Sequence, residues 1–421
     1  MTKEESLFFA IQEEDTAAFI SLLQDSGINV NYRDPMTGYT PLVFAAKKNL
    51  TQIVELLLQD ARTEPNHQEN RGYTALHFAV EHANNKMTAV LLQHSKINAN
   101  LDDITGATPL QLAVKYGQHE VAETLIMNDV DVNKATKSKV NPLLFAVQEG
   151  DEKMAILLLS HSSIDPTQAD SYGVTPLHIA AQKGNTTIID RVLSTGKGNV
   201  NQPDKDGNTP LMAAVGEANL EAVNKLLEAS GVDPNLKAAN GMTALHLAAT
   251  RGASTIIEAL AASPKTDMNV TDDLGNTPLL LAAEGQKLDA VQLMINHPNV
   301  DIDKANTQGV TPLAMVGIQI SSNLAETDPQ ALQVLEKLFA SSAINIDYES
   351  KGARDALQLL ANRGNSKAAD SLQKAKERAK ENSSSASVKE QKVDNKDHAS
   401  DTHSLDELNV DNPASDIGAE L

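Results

Sequence analysis

Three histidines and one lysine–glycine loop are the first places to look for chemistry in this chain. His77, His178 and His246 each follow a threonine by three residues. Imidazole is a common zinc ligand and general base. About 100 residues separate the first two, however, and there is no HExxH or other His pair at ligand spacing. These histidines are therefore read as structural. Thr195-Gly196-Lys197-Gly198 looks like a phosphate loop. It lacks the glycine five residues before Gly196 and the Ser/Thr after Lys197 that a P-loop needs. No GxGxxG, kinase signature or GxSxG elbow is present, and there is no cysteine. The reading is no catalytic residue, no metal and no cofactor. With 56 carboxylates in the chain, a chance acidic pair means little.

What remains is the scaffold, and it is periodic. One phrase recurs at Thr40-Pro41-Leu42, Thr74-Ala75-Leu76, Thr108-Pro109-Leu110, Asn141-Pro142-Leu143 and Thr175-Pro176-Leu177. It continues at Thr209-Pro210-Leu211, Thr243-Ala244-Leu245, Thr277-Pro278-Leu279 and Thr311-Pro312-Leu313. Every step is 34 residues except the one from Thr108 to Asn141, which is 33. Thr is a good helix N-cap and Pro suits the first helical position. Leu follows on the buried face, then small pairs such as Ala45-Ala46 and Ala248-Ala249 that let helices approach closely. A second amphipathic helix follows, as in Ile53 to Leu58, and then an Asn/Asp-rich stretch such as Ile28 to Asn31. A glycine stands two residues before the Thr position in eight of the nine units, with Lys139 as the exception. Degenerate copies near Glu5 and Asp355 bring the count to about eleven, with units starting near 5, 40, 74, 108, 141, 175, 209, 243, 277, 311 and 355.

Phrase and period together resemble the ankyrin repeat family, over roughly residues 3 to 375. The resemblance implies an all-α solenoid of helix-turn-helix units with hairpin-like turns and a concave face. It implies that His77, His178 and His246 support the turns by hydrogen bonding. The usual period is 33, so the extra residue is placed in the loop after the second helix, as at Ser95 to Asn98. Glu4 to Leu23 reads as an N-terminal polar cap. At the other end, Leu357, Leu359, Leu360 and Leu372 are expected to face the stack and Arg354, Arg363, Lys367, Lys374 and Lys376 the solvent.

Two segments depart from the repeat. Ten extra residues near Ile318 to Pro329 separate the helices of unit ten; they read as a surface insertion or a contact loop. Residues 381–421 form an acidic tail without apolar period, expected to be disordered. Its last 21 residues hold six acids and no Lys or Arg. It reads either as a solubilising tail or as a docking or export signal, and resembles the C-termini of bacterial type IV secretion substrates.

The whole chain carries a net charge of −21, which disfavours nucleic acid and anionic membrane as partners. No apolar run approaches a membrane span, and Met1 to Glu14 has no secretory-signal pattern. The expected location is cytoplasmic, or the cytoplasm of a host cell reached without a Sec signal. The repeats leave no room for a catalytic domain, so the chain is read as a non-enzyme, a cryptic enzyme being the remote alternative.

The resemblance implies binding through turn tips and the concave ends of the first helices. The period maps Tyr39, Lys47, Lys48, Arg71, Tyr73, His82, Lys115, Tyr116, Tyr172 and Lys183 onto that face. Tyr and Arg are enriched in binding hot spots, although Tyr also packs well beside turn glycines. The expectation is a monomer that binds an acidic and apolar protein partner through units two to six. Two settings fit: a bacterial effector acting on a host protein, or a non-secreted cytosolic scaffold or inhibitor.

Overall fold

The computed structural model describes residues 2–128, 130–322, 329–341, 351–362, 364, 366–374 and 377. Unit one holds α1 (Lys3–Gln12) and α2 (Thr16–Leu23). Units two to four hold α3 (Pro41–Lys47) and α4 (Thr51–Gln59), α5 (Ala75–Glu81) and α6 (Asn85–Leu92), α7 (Pro109–Lys115) and α8 (His119–Ile126). Units five to seven hold α9 (Pro142–Glu149) and α10 (Glu152–Leu159), α11 (Pro176–Lys183) and α12 (Thr186–Ser194), α13 (Pro210–Gly216) and α14 (Leu220–Glu228). Units eight to ten hold α15 (Ala244–Arg251) and α16 (Ser254–Ala262), α17 (Pro278–Glu284) and α18 (Leu288–Ile295), α19 (Pro312–Ser322) and α20 (Pro329–Ser341). Unit eleven opens with α21 (Lys351–Asn362), and residues 366–374 are helical. First helices pack on first helices and second on second, giving two layers over one continuous core. Among the described residues there is no strand, and no helix is long and apolar enough to cross a membrane.

The repeated phrase works locally as its chemistry requires. The Thr108 hydroxyl accepts from the Gln111 amide at 3.3 Å, and Asn141 does the same job for Leu144 at 2.7 Å. The small pairs Ala45-Ala46 and Ala248-Ala249 are fully buried between neighbouring first helices. Unit one departs from the expected register. Its first helix is capped by Thr2 in a capping box with Glu5, so Glu5 lies inside the helix.

Before each Thr or Asn cap the chain closes a hairpin-like turn, in one register in units three to ten and with one extra residue between Asp34 and Tyr39 in unit two. In unit four the Asp103 amide donates to the Ala107 carbonyl and the Gly106 amide to the Asp103 carbonyl, both at 2.9 Å. Gly106 has φ +86°, and a Cβ there would stand 2.8 Å from the Lys137 backbone nitrogen of the next turn. Only glycine meets both demands. Unit five forms the same turn with Lys139 at φ +63°, a conformation that strains a residue with a side chain.

The units are tied by side chains whose partners lie one unit away. Asn235 donates to the Lys265 carbonyl at 2.7 Å and accepts from the Asp267 amide at 2.8 Å. Asn31, Asn66, Asn133, Asn201 and Asn269 bracket the following loop in the same way. The three histidines make a second tie. His77 Nδ1 accepts from the Thr74 amide at 3.1 Å, so Nε2 carries the proton and donates to the Ala107 carbonyl at 3.2 Å. His178 and His246 bond Asn208 and Asn276 in the same way, and Gln111 takes the role in unit four. Burial pushes His77 down to about 4 and lowers His178 and His246. Lys197, in the loop that looked phosphate-like, donates to the Ser162 and Ile164 carbonyls at 2.7 and 3.0 Å.

Unit ten corrects the reading of the insertion. Ile318 to Ser322 belong to α19, and Pro329 opens α20. The extra residues therefore lengthen both helices rather than forming only a loop; 323–328 lie outside the described residues. Eight residues separate Leu92 from Asn100 but seven separate Ile126 from Asn133, so the unit-length difference falls after the second helix. At the C-terminal end Leu357, Leu360 and Leu372 are buried, Leu359 is half-buried, and Arg354, Lys367 and Lys374 are exposed. Arg363, Lys376 and the tail expected over 381–421 lie outside the described residues.

Candidate partner-binding face

The first helices and turn tips position the candidate residues, but not as one patch. Six of them meet at units two and three. The Lys47 ammonium lies 4.5 Å from the Tyr39 ring centre and donates to the Tyr39 hydroxyl at 2.6 Å. Lys48 lies 5.8 Å from the Phe44 ring. Arg71 stacks over Tyr73 at 4.8 Å and sits 3.6 Å from Glu69. His82 donates across the unit boundary to the Lys47 carbonyl at 2.8 Å. Lys115 and Tyr116 form a separate pair, 5.9 Å apart, at the end of α7. Tyr172 and Lys183 stand in unit six, both exposed.

The tyrosines are not equivalent. Tyr39 is buried and packs on Phe44 and Phe78, with ring centres 6.0 and 6.2 Å away. Tyr73 is half-buried, stacked on His77 at 5.1 Å, and its hydroxyl is pushed up to about 12 mainly by burial. Only Tyr116 and Tyr172, 47% and 71% exposed, offer open rings. Mapping by period places a residue on a face without giving the direction of its ring.

The rings that the period missed lie in unit one. Phe8, Phe9, Tyr39, Phe44 and Lys47 line a cleft of about 480 Å³ between units one and two, with Glu5, Gln12, Asp34 and Thr37 at its polar margin. Phe9 is 55% exposed. Phe8 touches Tyr32 and Phe44, with ring centres 6.2 and 5.5 Å away, so an aromatic row runs from unit one to Phe78 and Tyr73 in unit three. The adjacent Phe8-Phe9 pair was the available signal, hidden because the acids around it suggested a cap.

The turns, the paired helices and the caps, Thr in every unit but Asn141 in unit five, recur from unit two to unit ten. A family model described as ankyrin repeats (3 copies) matches overlapping windows from 7–103 to 245–327. The chain belongs to the ankyrin repeat family. Ankyrin repeats form protein–protein interaction modules, and members of the family are generally not enzymes. The solved ankyrin repeat protein EF0377 is similar, 28% identical over 47% of this chain and 98% of its own, with a TM-score of 0.43. The ankyrin repeat domain of Bcl-3, described as a unique member of the IkappaB protein family, is 24% identical over 52% of this chain and 97% of its own, with a TM-score of 0.46. No curated protein matches the chain.

Proposed function

We propose that this ankyrin module holds its protein partner against the concave face and turn tips of units one to six, with an apolar anchor in the cleft between units one and two. The observation that carries this is the cleft: exposed Phe9 and the rings of Phe8, Tyr39 and Phe44, with Lys47 at the edge, on a backbone fixed by inter-unit bonds. A pocket already shaped before binding loses little ordering entropy on association. The lysines and Arg71 beside it favour a partner that presents carboxylates with its apolar groups.

The C-terminal pattern of acids, small residues and scattered Leu supports a bacterial effector delivered into a host cell. The repeat array alone serves a cytosolic scaffold or inhibitor equally well, and deletion of the last 20 residues separates the two. Delivery is lost in the first case and unchanged in the second. For the face itself, Tyr39 and Tyr73 are poor probes because they are packed. A pull-down comparing wild type with Phe9→Ser plus Lys47→Glu, both exposed positions, is the test. A partner lost by this folded variant supports the reading; one retained moves the site elsewhere.

A further inference from the structure

The two residues at each turn tip, four and three before the cap, include an apolar one in units two, four and six and a basic one in units three and five. Met36 of unit two, Ile104 of unit four and Tyr172 of unit six are apolar and 88%, 61% and 71% exposed. Between them stand Arg71 of unit three and the pair Lys137 and Lys139 of unit five, all exposed. The unit-five tip differs from its neighbours in three ways. Residues 132–148 hold three lysines and no acid, in a chain of net charge −21. The turn is anchored by Thr136, where units two, three, four, six and seven have Asp34, Glu69, Asp103, Asp170 and Asp204. Lys139 occupies a left-handed position that glycine fills in every other central unit. Lys134 is spent on Asp102 at 3.0 Å, and Lys137 donates to the Ile104 carbonyl at 2.7 Å. Among the described residues neither Lys137 nor Lys139 forms an ion pair, although the Lys137 charge adds to that of Lys134 in lowering Asp102. A strained lysine that costs stability and meets no charge of its own protein is placed for a charge from outside.

Spacing defines what would bind. Neighbouring helices pack about 10 Å apart, so successive tips recur at about that interval. A polyproline-type chain brings every third residue to one face at a rise of about 9 Å. We infer that the tip row of units two to six binds an extended acidic segment of another protein, whose every third residue reads apolar, acidic, apolar, acidic, apolar. The carboxylate nearest its centre meets Lys137 and Lys139. This rests on the protein-binding reading above but assigns a different part of the surface from the unit-one cleft.

The test uses the full chain and a fluorescein-labelled peptide whose every third position reads Leu, Glu, Leu, Glu, Leu, with proline and serine between. Fluorescence anisotropy should show saturable binding that weakens with salt. Lys137→Glu with Lys139→Glu should weaken it at least about tenfold. Lys139→Gly should weaken it about threefold while raising Tm by about 2 °C, a gain in stability and a loss in binding at one position. The cleft variant Phe9→Ser plus Lys47→Glu should bind the peptide as wild type does. No saturable binding, binding unchanged in the folded double-lysine variant, or equal binding of a peptide with the same residues at every second position would overturn the inference. So would equal binding of a single-stranded oligonucleotide of equal charge, which marks a non-specific basic patch. A tenfold gain on deleting 381–421 would overturn it too, by making the chain's own tail the occupant. Loss of peptide binding only in the cleft variant would sink this tip assignment and leave the protein-binding reading standing. Retention of a lysate partner by that variant would remove the cleft anchor and leave the tip assignment standing.

Discussion

Units one to six and units seven to ten are built on the same frame and filled differently. Eleven of the thirteen Phe and Tyr residues fall within the first 172 positions, and the next is Phe339. Yet units seven to nine close the same turns, cap the same helices and make the same Asn ties without a single Phe, Tyr or Trp. The position of Tyr39 and Tyr73 is taken by Asn208, Met242 and Asn276. That of Phe44 and Phe78 is taken by Ala213, Leu247 and Leu281. The stack therefore does not require rings at these positions. Some aromatics in the first half have become core, such as Phe19 and Phe78; others, such as Phe9, Tyr116 and Tyr172, remain open. What the second half omits without penalty is what the first half has available for a partner.

The sharpest way to break this comparison is at Phe78, the more buried of the Phe and Tyr residues of unit three. Phe78→Ala should cost about 3–5 kcal/mol by cavity formation. Phe78→Leu, which supplies the residue type of Leu112 and Leu247, should cost only about 1 kcal/mol. Urea unfolding followed by circular dichroism measures both. Equal costs would mean that the stack in this half depends on the ring itself.

Acid sensitivity should come next and should not distinguish the halves. Buried His77 is neutral, with its proton uptake pushed from 6.5 down to about 4. The unfolded chain takes that proton first, so stability is full above pH 6.5 and is lost as pH falls toward 4. His77 alone contributes about 3 kcal/mol of that loss. His77→Gln, which copies Gln111, should keep both bonds and remove this part of the slope; denaturation at pH 7 and 4.5 checks it. His246 should act in the same direction. A slope unchanged in His77→Gln would show that the ring is already charged.

A smaller effect tests the uniformity of the frame. Asn66→Ala and Asn235→Ala each remove two inter-unit bonds, and each should cost about 1–2 kcal/mol. Chemical denaturation should give values within about 0.5 kcal/mol of each other. A much larger loss in one half would show that the two halves share a pattern but not an energy.

The frame was legible in the sequence because one residue type serves one purpose at each recurring position: Thr or Asn caps, Pro opens the helix, Gly accepts the left-handed turn. Lys139 stood out there as the exception, and the structure gives it a left-handed φ of +63°, against +74° to +86° for the glycines. A second left-handed position, after the first helix of units one to nine, was not legible. It is glycine at 117, 150, 184 and 252, but Glu14, Asn49, Ala83, Ala218 and Gln286 occupy it elsewhere and blur the signal. The Asn ties were visible only as a polar stretch, since a sequence does not show which carbonyl lies opposite Asn235. The candidate face was half legible. Period put Lys47, Arg71 and Tyr73 on one side of the solenoid, but the burial of Tyr39 and the cleft beside Phe9 depend on how unit one docks on unit two. Arg62 makes part of that junction, reaching the Leu23 carbonyl at 2.9 Å while holding Asp60 at 2.6 Å.

The central claim is that the aromatic half binds and the aliphatic half supports. Hydrogen–deuterium exchange of the full chain, with and without the partner captured by wild type, tests it most directly. The account predicts new protection in turn tips and first-helix ends between residues 3 and 183, with the equivalent segments from 205 to 319 unchanged. Protection confined to the tips of units seven to ten would contradict it.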